Sequence, residues 1–534
     1  MNVWQLTVGG VSQPMGTYTH ANLPQLSEGA TITVRSTVQG TAGVWTGAAE
    51  SDNLMATMSN WQDTPESLPL DDYKLGVTIN NAGEEMVYAD GMKINNLKFR
   101  RTPAAVPFTI RPATPGAVLE VSGRFEVTNA AQLILKDVTI ATPGHADQGD
   151  AAKTANTVMC FIPKPNSLAN ECASTNNVYK RSPGCLPLVL DNATIEKPLY
   201  SIGTDTGSGA SGFSLIYCRP NTTNEIKGAF NHASWWPYLE VDENAVLTIS
   251  GGLSAGILMR KALSGTLVIK DKPFVSSSYF GIYKGRLVLD AENCSLKGTS
   301  SGEGLMLERT EGASYIEFLR SYCFNGDTVL ILPGSSASIG LVEFHSTTQR
   351  FARLHGNSTG ANMSMHGDPG ALLEVTGGRT DMTYVASGHV YSPLTNRVDL
   401  TGSLSFKMSA TNETMTFYSK AFSTCGDFEV AAGTLDFRSD ASWLHGTNVA
   451  VNGEGRLKVA KGGTFGGKFA ELSLADAGVF EIPSGQSQTF LNVYTNGVPV
   501  PSGRYTSLSN GDGDFLAGGG EIVIRRKGII FSIR

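Results

Sequence analysis

Apolar residues recur at alternate positions in short runs along the whole chain, and each run ends in Gly, Asn, Asp or Ser. Val118-Leu119-Glu120-Val121, Val246-Leu247-Thr248-Ile249, Leu287-Val288-Leu289, Leu372-Leu373-Glu374-Val375 and Leu457-Lys458-Val459 are representative. A period of two puts every second side chain on one face of a strand, so these runs predict half-buried β-strands. Helical spacing is almost absent. The runs also recur at intervals: Leu247, Leu267 and Leu287 are 20 residues apart, and Leu404, Leu435 and Leu457 follow at 31 and 22. Repeats of this length built only of strands and polar turns predict a solenoid. The expected fold class is all-β, a right-handed parallel β-helix with small β caps at both ends. At ~22 residues per coil and ~4.8 Å per coil, the central segment would give about 17 coils and a rod of roughly 80 Å. A tandem of immunoglobulin-like sandwiches is the rival, but it gives no reason for offsets near 20.

The two ends carry one motif. Gly10-Val11-Ser12-Gln13-Pro14-Met15-Gly16-Thr17-Tyr18-Thr19 matches Gly497-Val498-Pro499-Val500-Pro501-Ser502-Gly503-Arg504-Tyr505-Thr506 at six of ten positions, at a constant offset of 487. A closing motif at position 10 has nothing before it to close. The chain therefore reads as the last unit of a longer repetitive protein, with the tail of the preceding unit at its front. The expected organisation is a terminator module over 1–39, an N-terminal β cap over 40–115, a β-helix over 116–489 and a closing module over 490–534. A Cys-, Pro- and Asn-rich stretch at about 143–235 is expected as an insertion in the helix. Met1-Asn2-Val3-Trp4 runs straight into β pattern without a signal peptide, so an export signal is expected upstream.

Composition narrows the function. Of 534 residues, 60 are Gly and 23 Pro, and only 17% are charged, as in secreted β-proteins whose surface is carried by Thr, Ser and Asn. A net charge of −7 argues against nucleic acid or an anionic membrane as partner. No window holds the ~20 apolar residues of a membrane-spanning helix. Four of the seven cysteines, Cys160, Cys172, Cys185 and Cys218, fall close together and can form one or two disulfides or stay as thiols. Their spacing has no paired Cys-x-x-Cys and no intervening His, which disfavours zinc.

Trp45-Thr46-Gly47-Ala48 with Asn60-Trp61, the Gly-Thr-Leu strands at Gly265-Thr266-Leu267 and Gly433-Thr434-Leu435, and the closing Pro-x-Gly-x-Tyr-Thr followed by Gly518-Gly519-Gly520-Glu521-Ile522-Val523-Ile524 form a recognisable set. It resembles autotransporter-type passenger proteins with autotransporter-associated β-strand repeats, abundant in the Planctomycetes–Verrucomicrobia–Lentisphaerae group. The ends carry the resemblance strongly and the middle only by pattern. It implies a secreted or surface-displayed β-helix with an adhesive or structural role, and it brings no catalytic residues. No membrane β-barrel segment follows the closing module, so self-export is not implied.

Candidate chemistry is sparse. Trp235-Trp236-Pro237-Tyr238 offers aromatic faces on which sugars stack, the competing reading being that Trp236 and Tyr238 pack where the insertion rejoins the coil. His345, His366 and His389, spaced by 21 and 23, can stack on one face as an imidazole column for a metal or an acidic glycan, against a reading as turn histidines. His145 to Asp150, and the trio Glu240, Asp242 and Glu243, supply carboxylates for Ca²⁺ but match no calcium loop. Glu303, Glu308, Glu317 and Asp327 lie within two or three coils and offer a carboxylate pair for glycoside chemistry. Asn-x-Ser/Thr sequons begin at Asn192, Asn221, Asn293, Asn357, Asn362 and Asn412. There is no nucleophile elbow, phosphate loop or His-Glu-x-x-His, and no cofactor or metal is implied. The sequence thus points to an exported adhesive or structural solenoid touching glycans or cell-envelope components, with end-to-end association. A β-helix polysaccharide lyase or glycoside hydrolase is the alternative.

Overall fold

In the computed structural model, the chain is described from Asn2 to Arg525 except for residues 4–5, 14–15, 35–41, 50–51, 63–75, 80–83, 100–106, 130–131, 143–158, 164–187, 202–212, 233–236, 257–258, 297–303, 308–312, 333–338, 357–361, 378–396, 418–425, 438–442, 445–447, 460–463, 466–469 and 510–512. Strands make up 60% of the described residues and helix 1%. The coils form a parallel β-solenoid, divided into two compact units, Met1–Gly251 and Gly252–Arg534.

In the first unit each coil visits three sheets in turn. Sheet A contains Gly76–Ile79, Leu97–Phe99, Phe125–Asn129, Met159–Pro163, Leu199–Ser201 and Phe230–His232. Sheet B runs from Glu85–Tyr88 to Pro237–Val241, and sheet C from Met92–Ile94 to Val246–Ile249. Every neighbouring pair along these sheets is parallel, and the register puts like on like. On sheet C the inward column is Leu119, Ile140, Ile195, Ile226 and Ile249, all fully buried. Each such side chain contributes about 1.5–3 kcal/mol by leaving water. Stacked identical faces make this burial continuous from coil to coil.

The stretch 143–235, expected as an insertion, supplies rungs to all three sheets, from Met159–Pro163 to Phe230–His232. Loop-like composition masked short strands whose partners lie one coil away. Coiling also begins earlier than expected: Gly76–Ile79 is already a rung, and Ala42–Trp45 pairs onto it in parallel. The Trp45/Asn60-Trp61 motif closes this end. Trp45 and Trp61 meet edge to face at 5.2 Å. The fully buried Asn60 side chain accepts from the Ala49 amide at 2.8 Å and donates to the carbonyls of Asp52 and Leu54 at 3.0 and 3.1 Å.

The second unit has its own three-sheet coils, then a long sheet through Leu372–Val375, Ser405–Phe417, Phe428–Phe437, Asn448–Val451, Glu471–Leu474 and Asn492–Thr495. Leu267 pairs with Leu287, as the 20-residue spacing predicts. Leu435 pairs with Leu457, but its rung partner on the other side is Met415 and not Leu404.

Four of the sequon asparagines take the left-handed conformation, at different places along the coil. Asn192, Asn221, Asn293 and Asn412 have φ of 57°, 60°, 61° and 60°. Asn tolerates the left-handed region because its short polar side chain bonds locally. Two of these side chains also bridge coils: the Thr223 amide donates to Asn192 Oδ1 at 3.1 Å, and Asn244 Nδ2 donates to Asn221 Oδ1 at 3.1 Å.

Two thiols are sealed in the second unit. Cys294 and Cys323 are free and buried, and burial pushes them up to about 11 and about 12. Nucleophilic thiolate is therefore scarce as well as inaccessible. Alkylation of the native protein near neutral pH, mapped by peptide mass spectrometry, is expected to leave both unmodified. Unfolding in denaturant should label both.

Candidate functional site

The sequence-predicted residues do not converge. Tyr238 lies on sheet B beside Ser214 and is 4% exposed, so its ring presents no stacking face. Trp235, Trp236 and His389 lie outside the described residues, as do Cys172, Cys185, Glu303, Glu308 and His145 to Asp150. Cys160 is on the strand Met159–Pro163, its side chain outside what is described, and Cys218 is fully buried. Glu240 is buried, whereas Asp242 accepts from the Tyr217 hydroxyl at 2.8 Å, so the trio is not one donor set. Asp327 is held by Ser295 and Thr328 away from Glu317, which stands on a different sheet.

His345 and His366 do share a face. On the outer side of the sheet formed by Gly285–Asp290, Ala313–Phe318, Ile339–Phe344 and Asn362–Gly367, Glu317, Glu343 and His366 occupy successive rungs. The coil step here is 23 residues, from Glu343 to His366, and not the 21 that separates the two histidines. A slip of two keeps a side chain on its face but moves it out of its column. No imidazole stack forms between His345 and His366. Each histidine stands beside carboxylates.

The cluster is closely knit. His345 Nε2 lies 2.8 Å from Glu317 Oε1, and its Nδ1 lies 3.1 Å from Asp368 Oδ2. Arg286 reaches Glu317 Oε2 at 3.2 Å and Glu343 Oε2 at 3.8 Å, with its guanidinium 6.0 Å from the Tyr315 ring. Glu317, Glu343 and His345 each offer a donor atom, all within 4.8 Å of one another, which is the donor chemistry of a divalent cation. Against this, Arg286 already balances both glutamates, and His345 is 40% exposed. Bare geometry therefore describes a solvated charge network, in which each pair is worth about 0–1 kcal/mol.

A groove of about 320 Å³ elsewhere in the second unit has Glu413 and Arg456 in its lining. Both are engaged: Arg353 meets Glu413 at 3.0 Å and Arg456 meets Glu481 at 2.7 Å. Sequence reasoning named Glu317 but missed Glu343, Arg286 and Asp368, because only the coil register assembles them. No protein-family model, no curated protein and no solved structure matches the chain.

Proposed function

We propose that the chain is a unit of an exported, surface-displayed β-solenoid whose role is structural and adhesive, meeting glycans through Trp235 and Trp236. The observation that carries this reading is the recurrence of one strand module at both ends of the chain, in one register, as a serially repeated array requires. The resemblance to autotransporter-associated repeats supports the same reading and its surface location. Outer faces that carry charge in neighbouring pairs, such as Arg286 with Glu317 and Lys407 with Glu429, suit an extended solvated surface. A carbohydrate-active enzyme is the second reading, favoured by the closeness of Glu317 and Glu343. The pair offers donor oxygens within 4.8 Å of each other, but one guanidinium, that of Arg286, is shared between both carboxylates.

One assay separates the two. Purified chain run through gels cast with cell-wall and algal polysaccharides is expected to be retarded by at least one. Trp235→Ala with Trp236→Ala should restore free migration. No new reducing or unsaturated ends should form. Retardation that survives both substitutions defeats the adhesive reading, and steady release of sugar ends that stops in Glu317→Gln establishes the enzyme.

A further inference from the structure

We propose that the N-terminal module, residues 2–34, is a docking cap for the open end of a second β-helix, closing a last coil like that formed here by residues 470–482. The case begins with an equivalence of register. In the N-terminal module, Asn2–Val3 pairs in parallel with Thr31–Val34, and Gly16–Thr19 pairs antiparallel with that same strand. In the C-terminal module, Ser487–Phe490, Glu521–Ile524 and Gly503–Tyr505 repeat this arrangement. Val3 is the register partner of Val34 as Phe490 is of Ile524, and Tyr18 of Ile32 as Tyr505 of Ile522. Between the first two strands stands a hairpin, Thr7 to Ser12 in one copy and Tyr494 to Pro499 in the other. Its turn has positive φ at Gly9-Gly10 and at Asn496-Gly497. The bond that follows is also shared: the Gln13 amide to the Leu6 carbonyl at 2.7 Å, and the Val500 amide to the Val493 carbonyl at 2.8 Å.

The C-terminal copy shows what this module holds. Asn492–Thr495 pairs in parallel with Glu471–Leu474, and Leu516 and Ala517 pair with Phe480 and Glu481. The amides of Phe480 and Ile482 donate to the carbonyls of Phe515 and Ala517 at 2.8 and 2.9 Å. In the N-terminal copy that side has no rung: among the described residues, Thr7–Val8 pairs only with Val11–Ser12.

Burial differs on that side. Val493, Leu516 and Ile522 are 1%, 7% and 0% exposed in the C-terminal copy. Their counterparts Leu6, Leu26 and Ile32 are only half-buried. At the outer hairpin edge, which the coil does not touch, the copies agree: Val11 is 65% exposed and Val498 63%. A partly exposed apolar face beside an unpaired strand edge invites strand addition. The occupant must present a parallel rung with inward apolar residues like Leu472, Leu474 and Phe480 and with free N–H groups. A second intact copy of this chain cannot supply it, because its own last coil is already covered. The partner is thus a β-helix whose end lacks a closing module.

The inference rests on the same duplicated module as the proposed function, but its test is blind to glycans. In a chimera, residues 489–524 are replaced by residues 2–34. Hydrogen exchange at Phe480 and Ile482 is then compared with the full chain and with a truncated chain of residues 35–483, which lacks both copies of the module. The expected result is slow exchange in the full chain and the chimera, and fast exchange in the truncated chain. Exchange in the chimera as fast as in the truncated chain overturns the proposal, and so does slow exchange in the truncated chain itself. A second measurement does not require the chimera to fold. A chain that ends at Pro483 but keeps residues 1–34 should assemble head to tail on size-exclusion chromatography, its N-terminal modules capping neighbours' open coils. Deleting residues 1–34 from it should abolish that assembly; assembly that persists refutes docking through this module.

Discussion

Replacing Lys197 by methionine is expected to stabilise the protein near about pH 6 and to leave it slightly less stable near about pH 10. Lys197 is fully buried, with its Nζ 2.8 Å from the Val121 carbonyl oxygen and 3.0 Å from Thr142 Oγ1. Two neutral acceptors do not replace the hydration of an ammonium group. Burial therefore pulls its pKa from 10.5 down to about 7. Below about 7 the lysine is charged in both states, and the folded state carries the full desolvation cost. Between about 7 and 10.5 the unfolded chain holds a proton that the folded chain has released, so stability rises with pH. At 1.36 kcal/mol per unit, the span corresponds to at most about 5 kcal/mol. Methionine keeps the volume, removes the charge and loses two hydrogen bonds, worth about 1 kcal/mol each. Urea denaturation followed by tryptophan fluorescence reports on the first unit, which holds five of the six tryptophans. The difference between wild type and variant is the quantity to follow, because the buried thiols, whose contribution falls at high pH, cancel in it. A difference that does not vary with pH would show that Lys197 stays charged in the fold.

Nothing in Glu196-Lys197-Pro198 announces a buried cation. The tripeptide reads as a polar turn, and only the stacking of coils 55 and 76 residues apart in sequence closes Val121 and Thr142 over it. The strands themselves were legible, because alternation is local and each run carries its own signal. Register was legible only where the coil length stayed constant, as from Leu267 to Leu287. Where it varied, spacing misled: Leu404 to Leu435 skipped the rung partner Met415, and His345 to His366 missed the coil step by two. The acidic patch shows the same limit. Arg286, Glu317, Glu343 and Asp368 are scattered over 83 residues of sequence and meet because parallel stacking brings four coils together. The duplicated ends were readable for the opposite reason, since their turn glycines and strands lie within one short motif.

Gly455→Ala is expected to cost about 3 kcal/mol, the upper end of the overpacking range, although the backbone there needs no glycine conformation. Gly433, Gly455 and Gly478 stand one above another, each just before the paired residues Thr434, Arg456 and Val479. A Cβ at Gly455 would overlap the Val430 carbonyl oxygen, and one at Gly478 would overlap that of Val451. Those obstacles are backbone atoms of the neighbouring coil, fixed by ladder hydrogen bonds such as Asn452 N to Val430 O at 3.1 Å. Relief requires lifting one coil from the next, and that strain falls on the apolar column of Val430, Val451 and Leu474 beneath. Gly370 provides the contrast. Its φ is +87°, and nothing lies within 4 Å of an added Cβ, so Gly370→Ala should cost only the left-handed strain, about 1–2 kcal/mol. Thermal denaturation of the two variants separates close approach from backbone conformation. The coil corner is sterically sealed if Gly455→Ala falls well below Gly370→Ala; equal losses would mean that adjacent coils can part to admit a methyl group, against the packing derived for this edge.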